Sequence, residues 1–128
     1  MRNRYRTPLK NVRGLGSAKI GTAHFVNQRL TATALVLLGI WFMVFSISLI
    51  GSDYLTAIDA VSKPWNAVLL VGFLIAMFWH AQLGLQVVLE DYVHTSLLAL
   101  AVQVTVKFVA VLGAIVSVFA VARIALGN

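Results

Sequence analysis

Three apolar runs separated by polar clusters organise this chain. The first, Leu30–Ile50, carries no charged residue; the second, Asn66–Leu89, has His80 as its only ionisable group; the third lies within Leu97–Leu126 and contains Lys107 and Arg123. A helix needs about 20 apolar residues to cross a hydrocarbon core. The pattern therefore predicts transmembrane helices over about 29–50, 65–90 and 97–126. Gly51-Ser52-Asp53 ends the first, and a loop carrying Asp53, Asp59 and Lys63 leads to Pro64. Pro64-Trp65 suits a helical first turn with an interfacial aromatic. The second helix closes on Glu90-Asp91-Tyr92-Val93-His94, and Thr95 or Ser96 is placed to cap the third.

Upstream of the first run, Pro8, Gly14 and Gly16 favour an extended segment over residues 1–20, and Ser17 to Gln28 suits a short interfacial helix. The whole, 1–128, reads as a single all-α membrane domain with a basic, partly extended N-terminus. The 128 residues are 60% hydrophobic and 11% charged, a balance that suits a polytopic membrane protein and not a soluble domain. Three helices of this size use up the sequence, so any chemistry is expected to come through a cofactor or a partner. There is no cysteine, which excludes thiolate-held zinc and iron–sulfur clusters and leaves histidine as the only strong transition-metal or haem ligand.

The net charge of +6 is concentrated at one end. Arg2, Arg4, Arg6, Lys10, Arg13, Lys19 and Arg29 precede or open the first run with no acidic residue among them. Such a tail suits a nucleic-acid arm or a cytoplasmic membrane flank; the apolar span that follows at once favours the flank, and nucleic acid is not expected as a partner. The first run is too long, and its basic region too extended, for a signal peptide, so it reads as retained. The N-terminus and the Glu90–Ser96 corner then face the cytoplasm of a multi-pass inner-membrane protein. The Asp53–Lys63 loop and the C-terminus face the periplasm, where Arg123 snorkels. Lys107 sits about 15 Å into the third helix, so that helix projects before entering lipid, or Lys107 snorkels or meets a partner.

An ionisable group deep in an apolar span is costly and by default marks a functional site. Gly84, Val87 and Asp91 share the helical face of His80, with Asp91 about 16 Å away along the axis. Asp91 at the membrane surface places His80 near mid-bilayer, and Gly84 leaves room for a planar group one turn away. Three readings of His80 stand: haem ligation, another functional use, or a hydrogen bond to a neighbouring helix. One histidine supplies one axial position. His24 and His94 belong to the cytoplasmic margin, so a second ligand is expected from a partner chain. Asp91 and Tyr92 stand where a lipid-soluble headgroup is met: a tyrosine hydroxyl donates to a quinone carbonyl, and a carboxylate relays protons. An ordinary helix end with an interfacial aromatic looks the same. Arg29 suits either a pairing with acidic groups such as haem propionates or a last positive-inside anchor.

The segment His80-Ala81-Gln82-Leu83-Gly84-Leu85-Gln86-Val87-Val88-Leu89-Glu90-Asp91-Tyr92-Val93 resembles the second-helix motif H-A-x-x-G-x-x-x-V-x-x-D-Y-V of the hydrophobic membrane anchor family of succinate dehydrogenase. Gln28-Arg29-Leu30-Thr31-Ala32 matches the start of that family's first helix. Gly16–Lys19 and the Gln-Arg pair look like its alphaproteobacterial or mitochondrial-type members. The resemblance covers most of the chain. It implies a membrane anchor of respiratory complex II with no activity alone, partnered by a flavoprotein, an iron–sulfur protein and a second membrane anchor. It implies that His80 is an axial ligand of a haem b shared with that second anchor, that Tyr92 and Asp91 line the ubiquinone site, and that Arg29, with His24, lies near the haem propionates. The alternatives are an anchor of a related fumarate reductase or other haem-b dehydrogenase, or a small non-redox membrane protein such as a transporter component or assembly factor.

Overall fold

The computed structural model describes residues 19–127. The expected extended basic tail and the orientation of Asn128 lie outside them. Four helices follow in order: α1 Lys19–Ser48, α2 Tyr54–Ser62, α3 Pro64–Tyr92 and α4 Ser96–Ala125. Three of them, α1, α3 and α4, are long and apolar enough to cross a membrane. The described chain is thus an all-helical, three-span membrane protein.

Two element readings need correction. No break separates an interfacial helix ending at Gln28 from the first span: α1 is continuous from Lys19. Nothing between Lys19 and Arg29 is a proline or other strong breaker except Gly21, and one glycine costs a helix only about 1 kcal/mol. The segment expected to be a loop after Asp53 is instead the helix α2. Asp53 is its N-cap, accepting the Thr56 backbone N–H at 3.1 Å. The side-chain hydrogen bond with Thr56, and then that backbone bond, hold the Asp53 carboxyl below the usual aspartate range. Gly51, at φ +80°, supplies the left-handed turn that closes α1 before the cap. Pro64 opens α3 at a position where its missing N–H costs nothing, and Asn66 Nδ2 donates to the Ala60 carbonyl at 2.7 Å, tying α3 back to α2. Thr95 occupies the N-cap of α4 but makes no side-chain capping bond.

The spans form a row with α3 in the middle. Both α1 and α4 pack on α3 and not on each other. The buried apolar residues, Ala67, Leu70, Ala76 and Leu83, are all on α3, as expected for the one helix covered on two sides. Phe42 of α1 stacks on Phe73 of α3 with ring centroids 4.5 Å apart, and Leu38 closes over Gly72. The α3–α4 contact is tighter: a Cβ at Gly113 would lie 2.6 Å from the Phe78 ring, so any side chain there would force the ring to shift. This antiparallel α1–α3 register, with 42 opposite 73, carries Thr31 to the level of His80.

Candidate functional site between α1 and α3

His80 is half-buried on α3, one turn beyond Ala76 and three residues before Leu83. Its Nδ1 lies 3.0 Å from the hydroxyl oxygen of Thr31 on α1. Thr31 is 5% exposed and is the single buried polar side chain among the described residues. Its hydroxyl also lies 2.9 Å from the Asn27 carbonyl and 3.1 Å from the Gln28 carbonyl, the back-bonding expected of a threonine in a helix.

Beside this pair is a cavity of about 330 Å³ lined by Phe25, Gln28, Arg29, Ala32 and His80. Positions 25, 28, 29 and 32 recur at helical spacing, so one face of α1 forms one wall and the His80 ring the other. Arg29 is exposed and rests over the Phe25 ring, 5.1 Å from its centroid, which holds the cation at the cavity's edge. The site thus offers one imidazole within an apolar span, one guanidinium, the Gln28 amide, and apolar walls from Phe25 and Ala32. That donor set fits one side of a haem: a nitrogen ligand, a cation suited to propionates, and apolar surface for the ring. It supplies a single nitrogen ligand, because His80 is the one histidine among the described residues lining the cavity. A Cβ at Gly84 would meet nothing within 4 Å, so space stays open one turn from His80.

Other sequence-predicted residues lie apart from this cavity. His24 is two turns before Thr31 on α1 and does not line it; its Nε2 is buried and has no hydrogen-bond partner. Asp91 and Tyr92 form the last turn of α3, not a segment past its end, and both are exposed, Tyr92 to 79%. Next to them Gln86 Nε2 donates to Glu90 Oε1 at 2.9 Å, so Glu90 is engaged by its own helix and Asp91 is the carboxylate left facing outward. Lys107 is exposed along α4. Sequence reasoning used Thr31 only as part of a motif and missed it as the partner of His80. The signal was present: His24, Gln28 and Thr31 place a polar line down the helix leading into an apolar span.

Residues 3–122 match the family described as the succinate dehydrogenase/fumarate reductase transmembrane subunit. A succinate dehydrogenase hydrophobic membrane anchor subunit from Rickettsia bellii is 33% identical over 117 residues, covering 91% of this chain and 94% of that protein. The protein of the same name from Paracoccus denitrificans is 33% identical over 125 residues, covering 97% and 95%. That from Rickettsia felis is 36% identical over 73 residues, 57% and 61% of the two chains.

Proposed function

The chain belongs to the succinate dehydrogenase/fumarate reductase transmembrane subunit family, and from that premise we propose that it anchors a succinate:ubiquinone oxidoreductase in the inner membrane and contributes to a haem b site and a quinone site. The observation that carries this reading is His80, an imidazole in the middle of an apolar span, bordering a cavity whose rim holds Arg29. An unassigned packing histidine needs neither the cavity nor the cation.

Each residue has a distinct task. His80 would hold the haem iron through a ring nitrogen, with a second membrane anchor supplying a further ligand. Arg29 offsets carboxylate charge at the membrane margin, where an unpaired anion would be poorly solvated. His24 lies within the same helix, nearer the cytoplasmic end, as a neighbour of that charged margin. When bound, haem supplies a one-electron carrier inside the membrane. Tyr92, at the cytoplasmic end of α3, donates a hydrogen bond to a quinone carbonyl, and Asp91 orders the proton-accepting network beside it. Flavin and iron–sulfur chemistry belong to the soluble partner proteins, since this chain has no cysteine and no soluble fold among its described residues.

The reduced-minus-oxidised spectrum of the assembled complex tests the reading. Wild type is expected to show a b-type band, and His80→Leu to lose or strongly perturb it. An unchanged band and haem content in that variant would return His80 to a packing role.

A further inference from the structure

The hydroxyl of Thr31 decides which nitrogen of His80 keeps its lone pair. A threonine hydroxyl has one hydrogen and can both donate and accept. Its oxygen lies 2.9 Å and 3.1 Å from two carbonyl oxygens and 3.0 Å from His80 Nδ1. The carbonyls have no hydrogen to offer, so those two contacts need the hydroxyl's own. Were it turned to Nδ1 instead, both oxygen–oxygen contacts would stand at hydrogen-bond distance with nothing between them. The hydroxyl therefore donates to the backbone of α1, and Nδ1–H of His80 donates to the hydroxyl. A neutral imidazole has a single ring proton. With it on Nδ1, Nε2 is a bare base.

We propose that Thr31 is a positioning residue for haem ligation: it fixes His80 in the Nδ1–H tautomer, sets the ring's orientation and presents Nε2 to iron. This inference rests on the haem reading above. Metal-bound histidines commonly donate their other N–H to an outer partner, which orients the ring and raises its basicity. Here the partner is on a different helix. The bond spans the α1–α3 contact at a buried site, away from competing water. Ligand strength and α1–α3 register are thereby set by the same hydroxyl, two residues from the Arg29 that rims the cavity.

Thr31→Val keeps the branched shape and deletes the hydroxyl; Thr31→Ser keeps the hydroxyl and drops the methyl. Both are compared with wild type and His80→Leu in the assembled complex. The readouts are the low-spin haem electron paramagnetic resonance g values, the haem midpoint potential and haem retention during challenge with a haem-scavenging apoprotein. Thr31→Val is expected to shift the g values and raise the potential, because a ligand that no longer donates from Nδ1 is less basic and favours ferric iron less. It is expected to weaken haem retention about 10- to 100-fold, the usual effect of losing such a partner. Thr31→Ser is expected to stay at wild type in all three. Should valine prevent assembly, Thr31→Ala takes its place: shifted g values and potential in alanine with serine at wild type support the hydroxyl's role, and alanine at wild type, or serine shifted as far as alanine, overturns it. Unshifted g values, potential and retention in Thr31→Val, with haem lost in His80→Leu, overturn the role of Thr31 and leave the haem reading standing. Wild-type haem in His80→Leu overturns both.

Discussion

The candidate site residues of this chain differ in how openly the sequence announces them. His80 stands out as a candidate because desolvation makes an ionisable side chain in an apolar run improbable without a task. Thr31 is harder to read, because threonine is cheap in a span: its hydroxyl satisfies itself on the preceding turn, and the polar line it forms with His24 and Gln28 does not single it out. Only the packing of α1 on α3 turns it into a partner for His80. Tyr92 presents the opposite case. It was legible as a candidate, and the fold adds that it is 79% exposed at the last turn of α3, open to whatever partner or ligand covers that end. Tyr92→Phe keeps the ring and deletes the donor. The loss of one hydrogen bond to a quinone is expected to cost about 0.5–1.5 kcal/mol, and more where charge develops on the acceptor. Succinate-to-quinone turnover should fall, while succinate oxidation by an artificial acceptor reached upstream persists. Wild-type quinone turnover and inhibitor sensitivity in Tyr92→Phe would leave the residue as an interfacial aromatic.

At the scale of elements, hydropathy located the spans and failed at their margins. The three apolar runs correspond to α1, α3 and α4 because length and apolarity decide what crosses a membrane. The same measure is blind to amphipathic structure outside the bilayer, which is why α2 read as a loop despite its Asp53 cap, and why α1 was started too late. It is also blind to which small residues matter. Of the scattered glycines, Gly113 is the one whose Cβ would collide with an aromatic ring, 2.6 Å from Phe78. Gly113→Ala is expected to destabilise the α3–α4 contact by about 1–3 kcal/mol, with the low end reached if Phe78 can swing aside. The thermal midpoint of the detergent-solubilised complex should drop. Adding Phe78→Leu should recover part of the loss, because the two changes meet at one contact. An undiminished midpoint in Gly113→Ala would mean that the ring moves away without cost. Gly39, where a Cβ meets nothing within 4 Å, serves as the control: Gly39→Ala should not lower the midpoint and can raise it, since alanine favours the helix.

As a whole molecule the chain cannot account for its own stability. Its core is four apolar residues of one helix, while large hydrophobics such as Leu37, Met43, Phe108 and Phe119 stand more than 60% exposed. No side chain of α4 is fully buried. Such a surface is stable only in contact with lipid or with other proteins of a complex, which is the physical meaning of an anchor. The orientation we propose for it rests on charge. The basic residues cluster before α1 and in its opening turns, and the turn from Gly51 through α2 carries Asp53, Asp59 and Lys63, of which the last two pair at 3.6 Å. On the proposed orientation lysine and arginine keep the start of the first span on the cytoplasmic side, and the return crossing of α3 brings the α3–α4 corner back to that side. This corner holds Tyr92 and Asp91, so the topology and the quinone reading stand together: electrons delivered by a soluble iron–sulfur partner can reach a quinone only on the face where that partner docks. The absence of native cysteine makes the test clean. A cysteine placed at Ser52 should react with an impermeant maleimide in cells whose outer membrane has been permeabilised. One placed at Thr95 should react only after the inner membrane is opened. Labelling of Thr95→Cys but not Ser52→Cys in sealed cells would invert the chain, put Tyr92 on the periplasmic face, and remove it from any cytoplasmic route of electron delivery.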